Sequence, residues 1–288
     1  MTIRIISECQ NQCLHCMQES GPSRNEVMSF DTFKKSLDLF SETISTSINI
    51  SGGEPTLHPY ILYFLDEACK LNKIVYLLSN GLFLRDNPLL RDNIFLMMSK
   101  YKNLKLQITS IKGLYNNFIH EYDINPMLNN MPIYQTIKHN ILFIHELTFG
   151  VIPIGRAKDS IIQIEKFSFI ANNRQVSKCF NPYNIIATMR KPKLDIIFII
   201  NHLKLNSKTS FCFPLIKENG DVVFGEYESC NFVWNVHNSN QDIEYEKILG
   251  PCGSCYSNQT QIDYADKHLS IFVNRHNKLN ESLYFKTM

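Results

Sequence analysis

Over its first 154 residues the chain alternates short apolar runs with longer stretches of helical period, and nearly every apolar run ends in a loop rich in Gly, Ser or Cys. Residues 3–6 read as a first buried strand. Ser29 then caps a helix whose apolar positions Phe30, Phe33, Leu37, Phe40 and Ile44 recur at the α-helical spacing. A short strand at 47–50 runs into Ser51-Gly52-Gly53-Glu54-Pro55, and Pro59 opens a second helix with Ile61, Leu65 and Ala68 on one face. A third strand at 73–78 closes on Ser79-Asn80-Gly81, followed by a helix marked by Leu90, Ile94 and Met98 and a fourth strand at 104–108. Ile133, Ile137, Ile141 and Ile144 predict a further helix, and residues 147–154 a fifth strand. Strands separated by helices favour an α/β fold with a parallel sheet, open or closed into a barrel. In such folds the loops after the strand C-termini build the active site, so the unusual residues gather on one rim.

Past residue 180 the alternation fades. Residues 212–217 and 222–224 flank Asn219-Gly220, a tight-turn signal that predicts a β-hairpin, and 243–249 reads as a helix. A second, smaller unit therefore begins between residues 175 and 205, dividing the chain into 1–180 and 181–288. The 288 residues suffice for this arrangement. A net charge of +2 and pI near 8.0 offer no electrostatic footprint for nucleic acid. No apolar run, 196–200 included, approaches the ~20 residues that cross a bilayer, and the N-terminus lacks signal-peptide architecture. A cytoplasmic location is expected.

Nine cysteines, odd in number and clustered, point to metal rather than disulfides in a reduced compartment. Cys9-Gln-Asn-Gln-Cys13-Leu-His-Cys16 follows the first strand. Its soft thiolates suit an iron–sulfur cluster or zinc, the latter giving a zinc-binding interaction module. Three thiolates leave one iron of a [4Fe–4S] cluster without a protein ligand, open to a small molecule.

The Cys-x3-Cys-x2-Cys pattern, with His15 before the third cysteine, resembles the radical S-adenosylmethionine (SAM) superfamily. Gly52-Gly53-Glu54-Pro55 resembles the Gly-Gly-Glu-Pro motif with which that family meets the methionine ammonium of its cofactor. Ser79-Asn80, Ser110 (in Ser-Ile-Lys-Gly113, where Lys112 replaces the usual acid) and Arg156 (in Pro-x-Gly155-Arg-Ala157) resemble cofactor-contacting segments after later strands. The resemblance covers residues 1–157. It implies a partial (β/α)6 TIM-like barrel, a SAM-binding [4Fe–4S] cluster on Cys9, Cys13 and Cys16, and S-adenosylmethionine as cofactor. It further implies reductive cleavage to a 5′-deoxyadenosyl radical that abstracts hydrogen from the substrate, with an electron donor such as flavodoxin or ferredoxin.

Cys212, Cys230, Cys252 and Cys255 resemble the twitch domain, a shortened SPASM domain that binds one auxiliary [4Fe–4S] cluster, here a small C-terminal hairpin-plus-helix iron–sulfur domain. A structural zinc ribbon is the other reading of these four cysteines. Cys69, on the apolar side of a helix, reads as a buried thiol. Cys179 is left open between ligand, active-site thiol and core residue, while His58, His120, His139 and His145 read as surface or packing residues. The resemblance implies oxidative modification of a ribosomally made peptide, by crosslinking or dehydrogenation, or dehydrogenation of a small molecule. The chain starts almost at the first strand, which is expected either to weaken the peptide reading or to hand leader-peptide recognition to a separate protein.

Overall fold

The computed structural model describes residues 1–16, 18–43, 45–110, 117–144, 156, 214–224 and 232–238. Five parallel strands, β1 (Thr2–Arg4), β2 (Ser47–Ser51), β3 (Ile74–Ser79), β4 (Leu104–Thr109) and β5 (Ile141–Ile144), follow one another across the sheet. Beside β1 lie β6 (Pro214–Ile216), β7 (Asp221–Phe224) and β8 (Phe232–Asn235), giving the order β5-β4-β3-β2-β1-β6-β7-β8. The register aligns Ile3, Ile50, Leu77, Leu106 and Ile141 in one apolar row across the five parallel strands. This is the mixed α/β, parallel-strand architecture of a partial barrel.

Helices α1 (Phe30–Ser41) and α2 (Ile61–Cys69) pack on the sheet because their apolar faces match it. Ser29 Oγ accepts the Thr32 N–H at 3.1 Å, starting α1 where the sequence predicts. Phe33 of α1 stacks on Phe64 of α2 with ring centroids 4.0 Å apart, and both side chains are fully buried. Cys69 is buried on α2, as expected, and burial first, then the charge of Asp66, pushes its thiol up to about 12.

Two short helices escaped sequence reading: α3 (Phe83–Asp86), ahead of α4 (Pro88–Lys100), and α5 (Glu121–Asn129). The helix predicted through Ile144 is corrected. Helix α6 (Pro132–Ile137) ends early, a 3-10 turn spans Lys138–Asn140, and Ile141–Ile144 form β5 against Leu106–Thr109. In Ile-Leu-Phe-Ile every position is apolar, so the run carries no period of its own, and sheet pairing decides. The strand predicted at 147–154 lies outside the described residues.

The predicted hairpin is present. Gly220, at φ +87°, turns β6 into β7, and its N–H donates to Lys217 O at 2.9 Å. Strand β6 runs parallel to β1, and Arg4 reaches Glu218 at 2.8 Å in an ion pair whose side chains are 3% and 4% exposed. Among the described residues no helix is long and apolar enough to cross a membrane.

Candidate active site at the strand ends

The chain leaving β1 folds back on itself before and after the cysteines. Met28 N–H donates to Ile5 O, Ser7 N–H to Glu26 O and Cys9 N–H to Gly21 O, at 2.8, 2.9 and 3.2 Å. These bonds close the base of a loop that carries Cys9, Cys13 and Cys16. Cys9 and Cys13 are buried, and Cys16 is partly exposed. Burial above all pushes the Cys9 and Cys13 thiols up to about 12. The Asn11 N–H pointing at Cys9 Sγ (3.4 Å) opposes this, as does the Arg156 charge, while neighbouring acidic groups and thiols add to it. Thiolates here therefore call for a cationic partner.

The glycines of the β2 loop let two backbones touch. Gly53 N–H donates to Ile6 O at 2.7 Å and Glu54 N–H to Glu8 O at 2.8 Å. A Cβ at Gly53 would collide with the carbonyl oxygens of Ser7 and Glu8, and one at Gly52 with the backbone of Ile6. The Gly-Gly pair thus stitches the β2 loop to the segment leading into Cys9.

Glu54 is fully buried. Its Oε1 accepts from Thr56 Oγ1 (2.6 Å), Ser79 Oγ (2.8 Å) and Thr56 N–H (3.2 Å), and its Oε2 from Asn80 N–H (2.8 Å). Burial raises its pKa, and these four donors oppose the rise. Glu54 therefore ties the β2 loop to the β3 loop. Asn80 in turn caps the next turn, its Oδ1 accepting from Leu82 N–H at 3.0 Å, and its Nδ2 lies 4.0 Å from Cys9 Sγ.

Ser110, at the end of β4, is buried, and its hydroxyl accepts the Ile119 N–H at 2.8 Å. Arg156 reaches the cysteine loop directly. Its backbone N–H donates to Cys16 O (3.1 Å), Nε to Cys13 O (2.9 Å) and Nη2 to Ser20 O (2.5 Å). His15 is held to about 4 by burial, with the Arg156 charge second, so its imidazole is neutral near pH 7.

Cys9, Cys13, Cys16, His15, Gly52, Gly53, Glu54, Ser79, Asn80 and Arg156 thus share one rim, with Ser110 at the end of the neighbouring strand. Cys179, Cys212, Cys230, Cys252 and Cys255 lie outside the described residues. Of the residues read as packing, His58 is buried, with Nδ1 accepting Tyr60 N–H and Nε2 donating to Met28 O. Sequence reading missed Asn11, whose Oδ1 accepts Asn117 N–H at 2.9 Å and joins the cysteine loop to the β4 loop. Position gives the only sequence signal for it, a polar residue between two ligand-type cysteines.

The residues fit an iron–sulfur cluster and its cofactor. Among the described residues, buried polar atoms without a partner stand on this loop: Gln10 Oε1, Asn11 Nδ2, Gln18 Oε1 and Ser20 Oγ. Buried polar groups are rarely left this way unless a further group completes them. Among the described residues, no three or more His, Cys, Asp or Glu are gathered as they would be around one metal ion. The donor set is three cysteines on a closed loop, the chemistry that iron–sulfur clusters take.

Comparison with known proteins agrees. Over 88 residues the chain is 34% identical to the antilisterial bacteriocin subtilosin biosynthesis protein AlbA of Bacillus subtilis, covering 31% of this chain and 20% of AlbA. Over 91 residues it is 29% identical to GTP 3′,8-cyclase of Thermodesulfovibrio yellowstonii, covering 30% of this chain and 28% of that enzyme. The chain thus matches less than a third of the length of either relative. The crystal structure of BtrN in complex with AdoMet and 2-DOIA superposes with a TM-score of 0.51 at 12% identity, over 92% of this chain and 84% of BtrN, a likeness of fold. The sequence pattern of the radical SAM superfamily matches residues 3–148, half of the chain, which carry all of this rim except Arg156, and the protein is a member of that superfamily.

Proposed function

We propose that this radical SAM enzyme oxidatively modifies a ribosomally made peptide, by crosslinking or dehydrogenation. Cys9, Cys13 and Cys16 hold a [4Fe–4S] cluster, and the rim of Gly52, Gly53, Glu54, Ser79, Asn80, Ser110, His15 and Arg156 shapes the place of S-adenosylmethionine. When bound, cluster and cofactor supply a 5′-deoxyadenosyl radical for hydrogen abstraction. The carrying observation is the cysteine loop itself: three thiols on a loop closed at its base, with unpartnered polar atoms beside them.

The chain's own part is to position and to shield. Gly52 and Gly53 hold the β2 loop against the cysteine loop, Glu54 fixes the β3 loop, and Arg156 fixes the carbonyls of Cys13, Cys16 and Ser20. With Glu54 occupied by four protein donors, its carboxylate serves first to pre-set the Ser79-Asn80 turn. In the second unit, 181–288, Cys212, Cys230, Cys252 and Cys255 would hold an auxiliary cluster, which when bound would supply an acceptor for the electron left on the substrate. The hairpin between the first two of these cysteines supports that assignment. The peptide substrate is supported by the likeness to a bacteriocin biosynthesis protein. Flavodoxin or ferredoxin supplies electrons in the cytoplasm.

Anaerobic reconstitution, iron and sulfide analysis and a 5′-deoxyadenosine assay test the first part. Wild type is expected to form 5′-deoxyadenosine and Cys13→Ala none; zinc at these thiols overturns the reading. Co-expression with a short peptide encoded by a neighbouring gene tests the substrate. Loss of a hydrogen pair from the peptide by mass spectrometry is expected. An unchanged peptide alongside oxidation of a small alcohol would move the assignment to a small-molecule dehydrogenase.

A further inference from the structure

Asn11 sits between two of the cysteines, is almost wholly buried, and uses only half of its side chain. The orientation of its amide is decided by its partner: Asn117 N–H can only donate, so the atom facing it at 2.9 Å is the oxygen. Nδ2, with two hydrogens, then faces the other way, buried and without an acceptor. The same residue already directs its backbone N–H at Cys9 Sγ, 3.4 Å away.

We propose that Asn11 is a positioning residue for the cluster on Cys9, Cys13 and Cys16: its Nδ2 donates a hydrogen bond to a cluster sulfur while its Oδ1 anchors the β4 loop. This rests on the assignment of that cluster under the proposed function. The geometry favours sulfur as acceptor because Asn11 lies within the ligand loop and its backbone already serves one thiol. An N–H donor on cluster sulfur stabilises the reduced, more negative state and raises the reduction potential. It would thereby ease one-electron reduction of the cluster by the external donor. The same side chain couples the β4 loop, which holds Ile119 on Ser110, to the cluster's electron affinity.

Two variants and one label test this in the reconstituted full-length protein. Asn11→Leu removes the donor without adding charge, and Asn11→Asp keeps an acceptor for Asn117. Both are expected to retain iron and sulfide and to lower the cluster's midpoint potential, measured by EPR-monitored titration without cofactor. At fixed potential the reduced-to-oxidised ratio of Asn11→Leu should fall about tenfold, or ~59 mV for one electron. A purely structural Asn11 would lower cluster loading and leave the potential of the loaded fraction unchanged, which overturns the proposal. Unchanged potential with weakened S-adenosylmethionine binding also overturns it, since Nδ2 would then serve the cofactor. If neither variant loads, wild type labelled with 15N at the asparagine side-chain amide decides. A 15N coupling to the reduced cluster that survives Asn80→Ser supports the bond, and its absence refutes it. Failure of wild type to bind any iron–sulfur cluster would instead break the underlying assignment.

Discussion

The layer beneath the sheet and the rim above its strand ends bury groups of opposite kind. Under the sheet, Phe33, Phe40, Phe64, Ile48 and Ile50 are buried with apolar neighbours, and Phe33 stacks flat on Phe64. On the rim, Asn11, Ser20, Glu54, Ser79, Asn80 and Ser110 are just as buried but polar, held by bonds that run from one loop to the next. The layer gains from burial as such, through area removed from water. The rim loses solvation and recovers it only where partners are supplied, and on the cysteine loop some are missing. Stability is concentrated in the first region, and the chemistry in the second.

Substitutions on either side sharpen that contrast. Phe64→Ala should cost about 3–5 kcal/mol by denaturant unfolding, because its ring contacts in the layer are lost. Cluster content per folded molecule should stay at the wild-type level; a matching loss of cluster would break the separation of the two regions. Gly53→Ala should cost less, about 1–3 kcal/mol, since the added methyl forces the Ser7 and Glu8 carbonyls aside. Iron retention should nevertheless fall more than in Phe64→Ala, as measured by iron per folded protein. Ser29→Ala, which removes the cap from the Thr32 N–H, should cost about 1 kcal/mol with no change at the site.

The smallest effect concerns His58, packed against Phe64 in the lower layer. Burial, opposed by its bond to Met28 O, lowers its pKa below the ordinary 6.5. Because the folded-state value is depressed, its contribution to stability is present above pH 6.5 and is lost as pH falls through the folded-state value. Unfolding at pH 7.5 and 5.5 should show wild type losing more stability on acidification than His58→Gln. An equal loss in both would show that the histidine titrates alike in the folded and unfolded protein.

Much of the fold was legible because periodicity and caps are local. Ser29 begins α1, the Phe30–Phe33–Leu37–Phe40 spacing shapes it, and Asn219-Gly220 turns the hairpin. The run from Ile141 to Ile144 was misread because four consecutive apolar residues suit helix and strand alike, and pairing with Leu106–Thr109 lies outside any local window. At the site, cysteine spacing and the Gly-Gly-Glu-Pro motif marked two loops that the structure brings together at the strand ends. That Glu54 would spend its carboxylate on Thr56, Ser79 and Asn80 was not legible, since those partners meet it only across strand ends.

By itself, then, the order of residues determined the thiol spacing and the alternation of strand and helix, because these depend on chain geometry over a few residues; the backbone collisions that demand glycine at Gly52 and Gly53 come from Ile6, Ser7 and Glu8 on another strand end. The tertiary structure alone decided which side chains face one another across the rim. It set Arg156 on the carbonyls of a loop some 140 residues earlier and Asn11 against Asn117. Such pairings come from the parallel sheet, which brings distant strand ends side by side, and no pattern within one segment encodes that proximity.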